Sequence, residues 1–171
     1  STVVGASESK NLWMGTFHSI FAKILRMESK AIDYPASYTI YDAQDSKNLL
    51  KSIIKELQLD PNVYKASEVL NRISFSKNNL ITAISYAGNA QIIETDRQLR
   101  KPEIARIYQI YENRCKTSAA MDFDDILMKT NYLFDKFPDI LKKYQDKFKY
   151  ILVDEYQDTN RVQVAILQQL A

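Results

Sequence analysis

The sequence predicts a mainly α-helical protein, about 60–70% helix, with a few short parallel strands. Two patterns carry that expectation. Between residues 45 and 120, apolar residues recur at helical spacing, separated by caps and breakers. At both ends, a short apolar run leads through a turn into a helical stripe, which is how α/β proteins alternate strand and helix. The composition agrees: 171 residues, 46% hydrophobic and 26% charged, describe an ordinary globular chain. A disordered tail, a collagen-like fibre and a coiled-coil rod are excluded.

The elements follow in order. Residues 1–11 are small and polar with no period, and read as a flexible lead-in. Leu12, Trp13, Met14, Gly15 and Thr16 form a short apolar run expected to be a buried strand. Ile20, Phe21, Ile24 and Leu25 then mark one face of a helix. Tyr38, Thr39, Ile40 and Tyr41 are β-formers and predict a second strand. Asp42 or Asp45 caps a helix bearing Leu49, Leu50, Ile53, Ile54 and Leu57, broken at Asp60-Pro61-Asn62. Ser67 is expected to cap a helix with Val69, Leu70 and Ile73. Leu80, Ile81 and Ile84 form another short face, stopped at Gly88-Asn89.

Pro102 suits a first helical turn, and Ile104, Ile107, Tyr108, Tyr111 and Cys115 line one face of the long helix after it. Cys115 and the two tyrosines read as core. Asp122 opens a further helix with Phe123, Ile126, Leu127, Leu133 and Phe134, with Phe123 and Ile126 assigned to the core face. Pro138 ends it and a shorter helix follows. Tyr150, Ile151, Leu152 and Val153 predict a buried strand, Asp158-Thr159 a cap, and Val162, Ala165, Ile166 and Leu170 a last helix.

Several chemistries are excluded by counting. One cysteine leaves no internal disulfide and no multi-cysteine zinc site, and one histidine leaves no His-based metal cluster. No run approaches the ~18 apolar residues of a membrane span, and no apolar leader is visible, so a reducing cytoplasm is expected. Gly5, Gly15 and Gly88 are the only glycines, and no pair has the spacing of a G-x-x-x-x-G-K-[ST] phosphate loop. The net charge of +2 is too small to argue nucleic-acid binding alone. Its distribution says more: residues 45–118 hold 12 Lys/Arg against 8 Asp/Glu, and residues 121–160 hold 6 against 9. The middle is basic and the end acidic.

The strongest constellation is Asp154-Glu155-Tyr156-Gln157-Asp158-Thr159-Asn160 after the apolar run at 150–153. A buried strand would deliver two carboxylates to the carboxyl edge of a sheet, where α/β proteins bind ligands. Asp154 there suits Mg²⁺ held against nucleotide phosphates, and Glu155 suits a base for the attacking water. The competing reading is an acidic pair that only caps the next helix.

The full string D-E-Y-Q-D-T-N resembles motif II, the Walker B element, of the UvrD/PcrA/Rep group of superfamily 1 DNA helicases. Gly15-Thr16-Phe17-His18-Ser19 resembles the T-F-H-S motif of the same helicases, and Asp122-Phe123-Asp124-Asp125-Ile126-Leu127 their D-F-D-D-L element. The three occur in the family's order. The resemblance implies an ATP-dependent helicase moving 3′ to 5′, unwinding DNA in repair or replication, with Mg²⁺ and ATP as cofactors. It implies a RecA-like P-loop domain carrying an all-helical insert. Residues 12–44 would be part of motor subdomain 1A, 45–120 the helical 1B subdomain, and 121–171 the return to 1A.

By the same resemblance, Asp154 and Glu155 hold the metal, Glu155 is the catalytic base, and Gln157 senses the γ-phosphate. Thr16, Phe17, His18 and Ser19 would lie along single-stranded DNA. The expected partners are single-stranded and duplex DNA and ATP, with no membrane and a monomeric fragment. Lys65, Arg72, Lys77, Arg97, Arg100 and Lys101 are basic candidates for phosphate contact. Asp122, Asp124 and Asp125 read as capping residues rather than an independent metal site.

The phosphate loop would precede residue 1 and a second motor domain would follow residue 171, so the isolated piece is expected to be inactive. A helicase–nuclease of the AddA or RecB type remains an alternative. So does a non-catalytic helical module binding DNA or protein.

Overall fold

The computed structural model describes residues 12–171, about 65% of them helical. The expected lead-in at 1–11 lies outside the described residues. The elements run α1 (Phe17–Met27), β1 (Thr39–Tyr41), α2 (Ala43–Glu56), α3 (Ala66–Asn78), α4 (Ala83–Gly88), α5 (Ala90–Gln98), α6 (Ile104–Thr117), β2 (Ala120–Asp122), α7 (Phe123–Lys136), α8 (Pro138–Lys147) and α9 (Arg161–Leu170). A 3₁₀ turn, Tyr156–Asp158, precedes α9. None of these helices is long and apolar enough to cross a membrane.

Two apolar clusters organise the chain. The first gathers Phe21, Ile24 and Leu25 of α1, Leu127, Leu133 and Phe134 of α7, Tyr144 of α8 and Val162 and Ile166 of α9. The second gathers Leu50, Ile53 and Ile54 of α2, Val69 and Ile73 of α3, and Ile107, Tyr108, Tyr111 and Cys115 of α6. Each buried aliphatic side chain contributes about 1.5–3 kcal/mol relative to exposure. The segments entering and leaving the second cluster are β1 and β2. They pair in parallel, with Thr39 opposite Ala120 and Tyr41 opposite Asp122.

A buried charge cluster joins the two bodies of core. The Lys77 ammonium on α3 is fully buried. It lies 2.7 Å from Asp122 Oδ2, 2.9 Å from Asp125 Oδ1 and 2.5 Å from Glu112 Oε1. The Tyr111 hydroxyl also donates to Asp122 Oδ2, at 2.9 Å. An ammonium taken out of water is tolerated only with such partners.

The local starts have readable causes. Asp42 caps α2 and Asp122 caps α7, each in a reciprocal capping box with the Asp three residues on. Asn160 caps α9 in the same way with Gln163, so Asn160 is the cap in place of the expected Asp158-Thr159. Ser67 lies inside α3, behind Lys65 as the N-cap. Ile84 is 80% exposed, and Tyr86 is the buried anchor of α4 instead.

The two strands expected at 12–16 and 150–153 are absent, both segments running as irregular chain. A strand is made by lateral hydrogen bonds, and among the described residues neither segment has a strand beside it. Tyr150 and Leu152 are 93% and 98% exposed, against the expectation of burial. Trp13 instead packs edge-on against Phe148, with the Lys23 and Lys147 ammonium groups 4.0 and 4.5 Å from its ring centroid. Strand β2 was not foreseen, because Ala120-Met121-Asp122 is short and lacks β-branched residues.

Candidate functional site

The acidic string forms a tight exposed turn ahead of α9. Asp154, Glu155, Gln157 and Asp158 are all exposed. Asp154 Oδ1 accepts from the Glu155 amide at 2.9 Å, and among the described residues its second oxygen accepts no hydrogen bond. Glu155 adopts the left-handed conformation, φ 50° and ψ 44°. That geometry costs a non-glycine residue roughly 1–2 kcal/mol, and Asp33, Gln58, Leu80, Arg100 and Ala119 adopt it too. The turn is closed by the Asp158 amide donating to Glu155 O at 2.9 Å and the Thr159 hydroxyl donating to Tyr156 O at 2.7 Å.

Among the described residues, the carboxylates of Asp154 and Glu155 make no ion pair. Adjacent and exposed carboxylate oxygens are a donor set Mg²⁺ takes, since it keeps several waters and binds through one or two carboxylates. The contrast is the Glu112–Asp122–Asp125 group, whose oxygens lie within 4.8 Å of one another. There the Lys77 ammonium fills the place a cation would take, so Asp122 and Asp125 are structural.

The second expected site lies at the start of α1. Thr16 is its N-cap, with Oγ1 accepting from the Ser19 amide at 3.2 Å. The Ser19 hydroxyl donates to Thr16 O at 2.9 Å. A Cβ on Gly15 would press on Ser19 Oγ and push it off that carbonyl. Phe17 is half-buried and stacks on Phe21, so its ring is largely committed to packing. His18 is half-buried and stacks face to face on Phe123, with centroids 3.7 Å apart and planes 11° from parallel. Burial lowers the His18 pKa below its usual 6.5, and the Asp124 charge opposes this more weakly.

Phe123 corrects the core assignment made for it: it is 55% exposed and covers His18, whereas Ile126 is buried as expected. Among the basic candidates, Lys77 is fully buried and cannot reach a phosphate. Arg72 is engaged with the Tyr86 hydroxyl at 3.0 Å and Asp96 Oδ1 at 2.6 Å. Arg97 pairs with Glu94, and Lys101 with Glu68.

Sequence reasoning also missed Asn78 at the end of α3. Its Oδ1 accepts from Asn160 Nδ2 at 3.2 Å, and its Nδ2 donates to Asp124 Oδ1 at 3.3 Å. Partners so distant along the chain leave no periodic signal.

A mostly helical chain with an exposed acidic turn and a capped T-F-H-S helix start belongs to the UvrD/REP helicase N-terminal domain family, whose model matches residues 2–171. Individual relatives carry the same message. The chain is 37% identical over 163 residues to the ATP-dependent DNA helicase PcrA of Leuconostoc citreum, covering 95% of this chain and 21% of that protein. It is 36% identical over 164 residues to the PcrA of Staphylococcus aureus strain Mu50, covering 96% and 22%. It is also 36% identical over 161 residues to the PcrA of Bacillus subtilis, covering 94% and 21%. The chain thus spans about a fifth of the length of these relatives.

Proposed function

We propose that this chain forms the Walker B side and part of the DNA track of an ATP-dependent DNA helicase that moves 3′ to 5′ along one strand. The observation that carries the reading is the exposed Asp154-Glu155 turn, whose carboxylates make no ion pair among the described residues, in a chain of this family. Residues 12–44 and 121–171 would then belong to a RecA-like motor subdomain, with 45–120 as its helical insert. The two separate apolar clusters support that division.

Asp154, with Glu155 beside it, would hold Mg²⁺, which supplies charge neutralisation for the nucleotide phosphates when bound. Glu155 would accept a proton from the attacking water, and among the described residues no cation pairs with its exposed carboxylate. Gln157, on the outer face of the 3₁₀ turn, would report the γ-phosphate to the rest of the chain. At the α1 start, Thr16, Phe17, His18 and Ser19 would lie along a DNA strand, with His18 offering an imidazole edge. Lacking a glycine-rich phosphate loop, the 171-residue chain alone should not hydrolyse ATP.

The test is Glu155→Gln in the full-length protein. A positioned base contributes about 10²–10⁴-fold to rate, so turnover should fall at least ~10²-fold while nucleotide and DNA binding persist. Turnover near wild type that remains DNA-stimulated would return the acidic pair to the role of a helix cap.

A further inference from the structure

We propose that the first turn of α7 links the acidic turn to the helix start that carries His18, with Asn78 as the positioning residue on one side and Phe123 as the contact on the other. The proposal rests on the reading above, in which the two ends of the link are the nucleotide side and the DNA side.

The link can be followed atom by atom. Asn160 caps α9 directly after the acidic turn, and its Oδ1 is occupied by the Gln163 amide at 3.0 Å. Only its amide NH₂ is left to donate, and it donates to Asn78 Oδ1 at 3.2 Å. The Asn78 NH₂ then donates to Asp124 Oδ1 at 3.3 Å. A carboxylate accepts and cannot donate, so the orientation of the Asn78 amide is fixed by its partners on both sides. Asp124 adjoins Phe123, whose ring lies flat on His18 at 3.7 Å.

The turn that carries Phe123 and Asp124 is held on either side. Asp122 and Asp125 form the reciprocal capping box, and both accept from the buried Lys77 ammonium. A displacement at Asn160 would then be passed to the turn as a unit rather than lost to fraying of α7. The helical block takes part because Asn78 and Lys77 are consecutive residues of α3.

The chain has one histidine, so its imidazole NMR signals are unambiguous. Asn160→Asp keeps the capping oxygen but removes the donor to Asn78, and Asn78→Ala removes the bridge. Each should shift the His18 imidazole resonances. The two should combine non-additively, and a Phe123→Leu background should shrink both shifts, leaving only the part that the Asp124 charge exerts on His18 directly. In the full-length protein, Asn78→Ala should cut the DNA stimulation of ATP turnover several-fold, with basal turnover within about two-fold of wild type.

Unmoved His18 signals in a folded Asn78→Ala chain would overturn the link. Unchanged DNA stimulation would overturn its coupling role. If the signals move while His18→Ala leaves single-stranded DNA affinity intact, the link stands and the DNA-track reading of His18 fails.

Discussion

The Lys77 ammonium lies 2.7 Å from Asp122 Oδ2, which ties α3 of one apolar cluster to the capping residue of α7 in the other. Removing the cation would leave the buried Asp122 and Asp125, and Glu112 beside them, without compensation. Breaking a buried charge group by deleting one partner costs about 3–5 kcal/mol. Lys77→Met should therefore lower the urea unfolding free energy by that order, although methionine matches the stem in length. A loss under about 1 kcal/mol would show the cluster to be well hydrated.

Glu112 gives the cluster a pH dependence. Burial and the Asp125 charge push its carboxyl up to about 7. Between an unfolded value near 4.5 and that folded value, the native state binds more protons than the unfolded chain. Stability from this group should then be full below about pH 4.5 and fall as pH rises toward 7. Asp122 is pushed in the same direction by burial, and Asp125 is lowered, with Lys77 the strongest of the charges acting on it. Glu112→Gln should flatten the stability profile between pH 4.5 and 7, as read by denaturant titrations across that range.

His18 behaves oppositely. Its imidazole is neutral by preference because burial beside Phe123 disfavours the cation. The stability it contributes is present above pH 6.5 and lost as pH falls below it. Phe123→Ala should raise the His18 pKa toward 6.5, measured by NMR titration of the single imidazole. A pKa unchanged or lowered by the substitution would mean that Phe123 does not supply the burial.

Asp154 and Glu155 should separate in kinetics if their roles differ as proposed. Asp154→Asn should weaken Mg²⁺-dependent nucleotide affinity as well as turnover, whereas Glu155→Gln should spare affinity. Paired nucleotide titrations with and without Mg²⁺ in the full-length protein check this. Both residues are exposed, so neither substitution should change the unfolding midpoint of the chain.

The Arg72–Asp96 ion pair makes a separate prediction about the helical block. Asp96 on α5 is 1% exposed and accepts from Arg72 and from the Tyr86 hydroxyl. Asp96→Ala would strand the half-buried Arg72 and the buried tyrosine, and should destabilise the block by roughly 3–5 kcal/mol. Proteolysis within α4 and α5 under native conditions would report the local loosening.

The sequence by itself determined most of the helices, the caps Asp42 and Asp122, and the family, but gave no sign of α5 and misplaced the caps of α3 and α9. Period and capping are local: Ile107, Tyr108, Tyr111 and Cys115 face inward because an amphipathic helix has one apolar side, and Asp42 and Asp122 cap because an aspartate oxygen reaches the amide three residues on. The motif D-E-Y-Q-D-T-N is likewise a contiguous string. Only the tertiary structure decided which polar and aromatic residues are buried and which apolar runs become strands. Lys77 reads as a surface cation until Asp122 and Asp125 arrive from far along the chain, and Phe123 reads as core until His18 is found beneath its ring. Residues 150–153 have the composition of a strand but, among the described residues, no strand beside them, whereas Ala120-Met121-Asp122 lacks the composition and pairs with β1. Strand pairing, ion pairing and stacking each need a partner, and a partner remote in sequence is supplied by the fold alone.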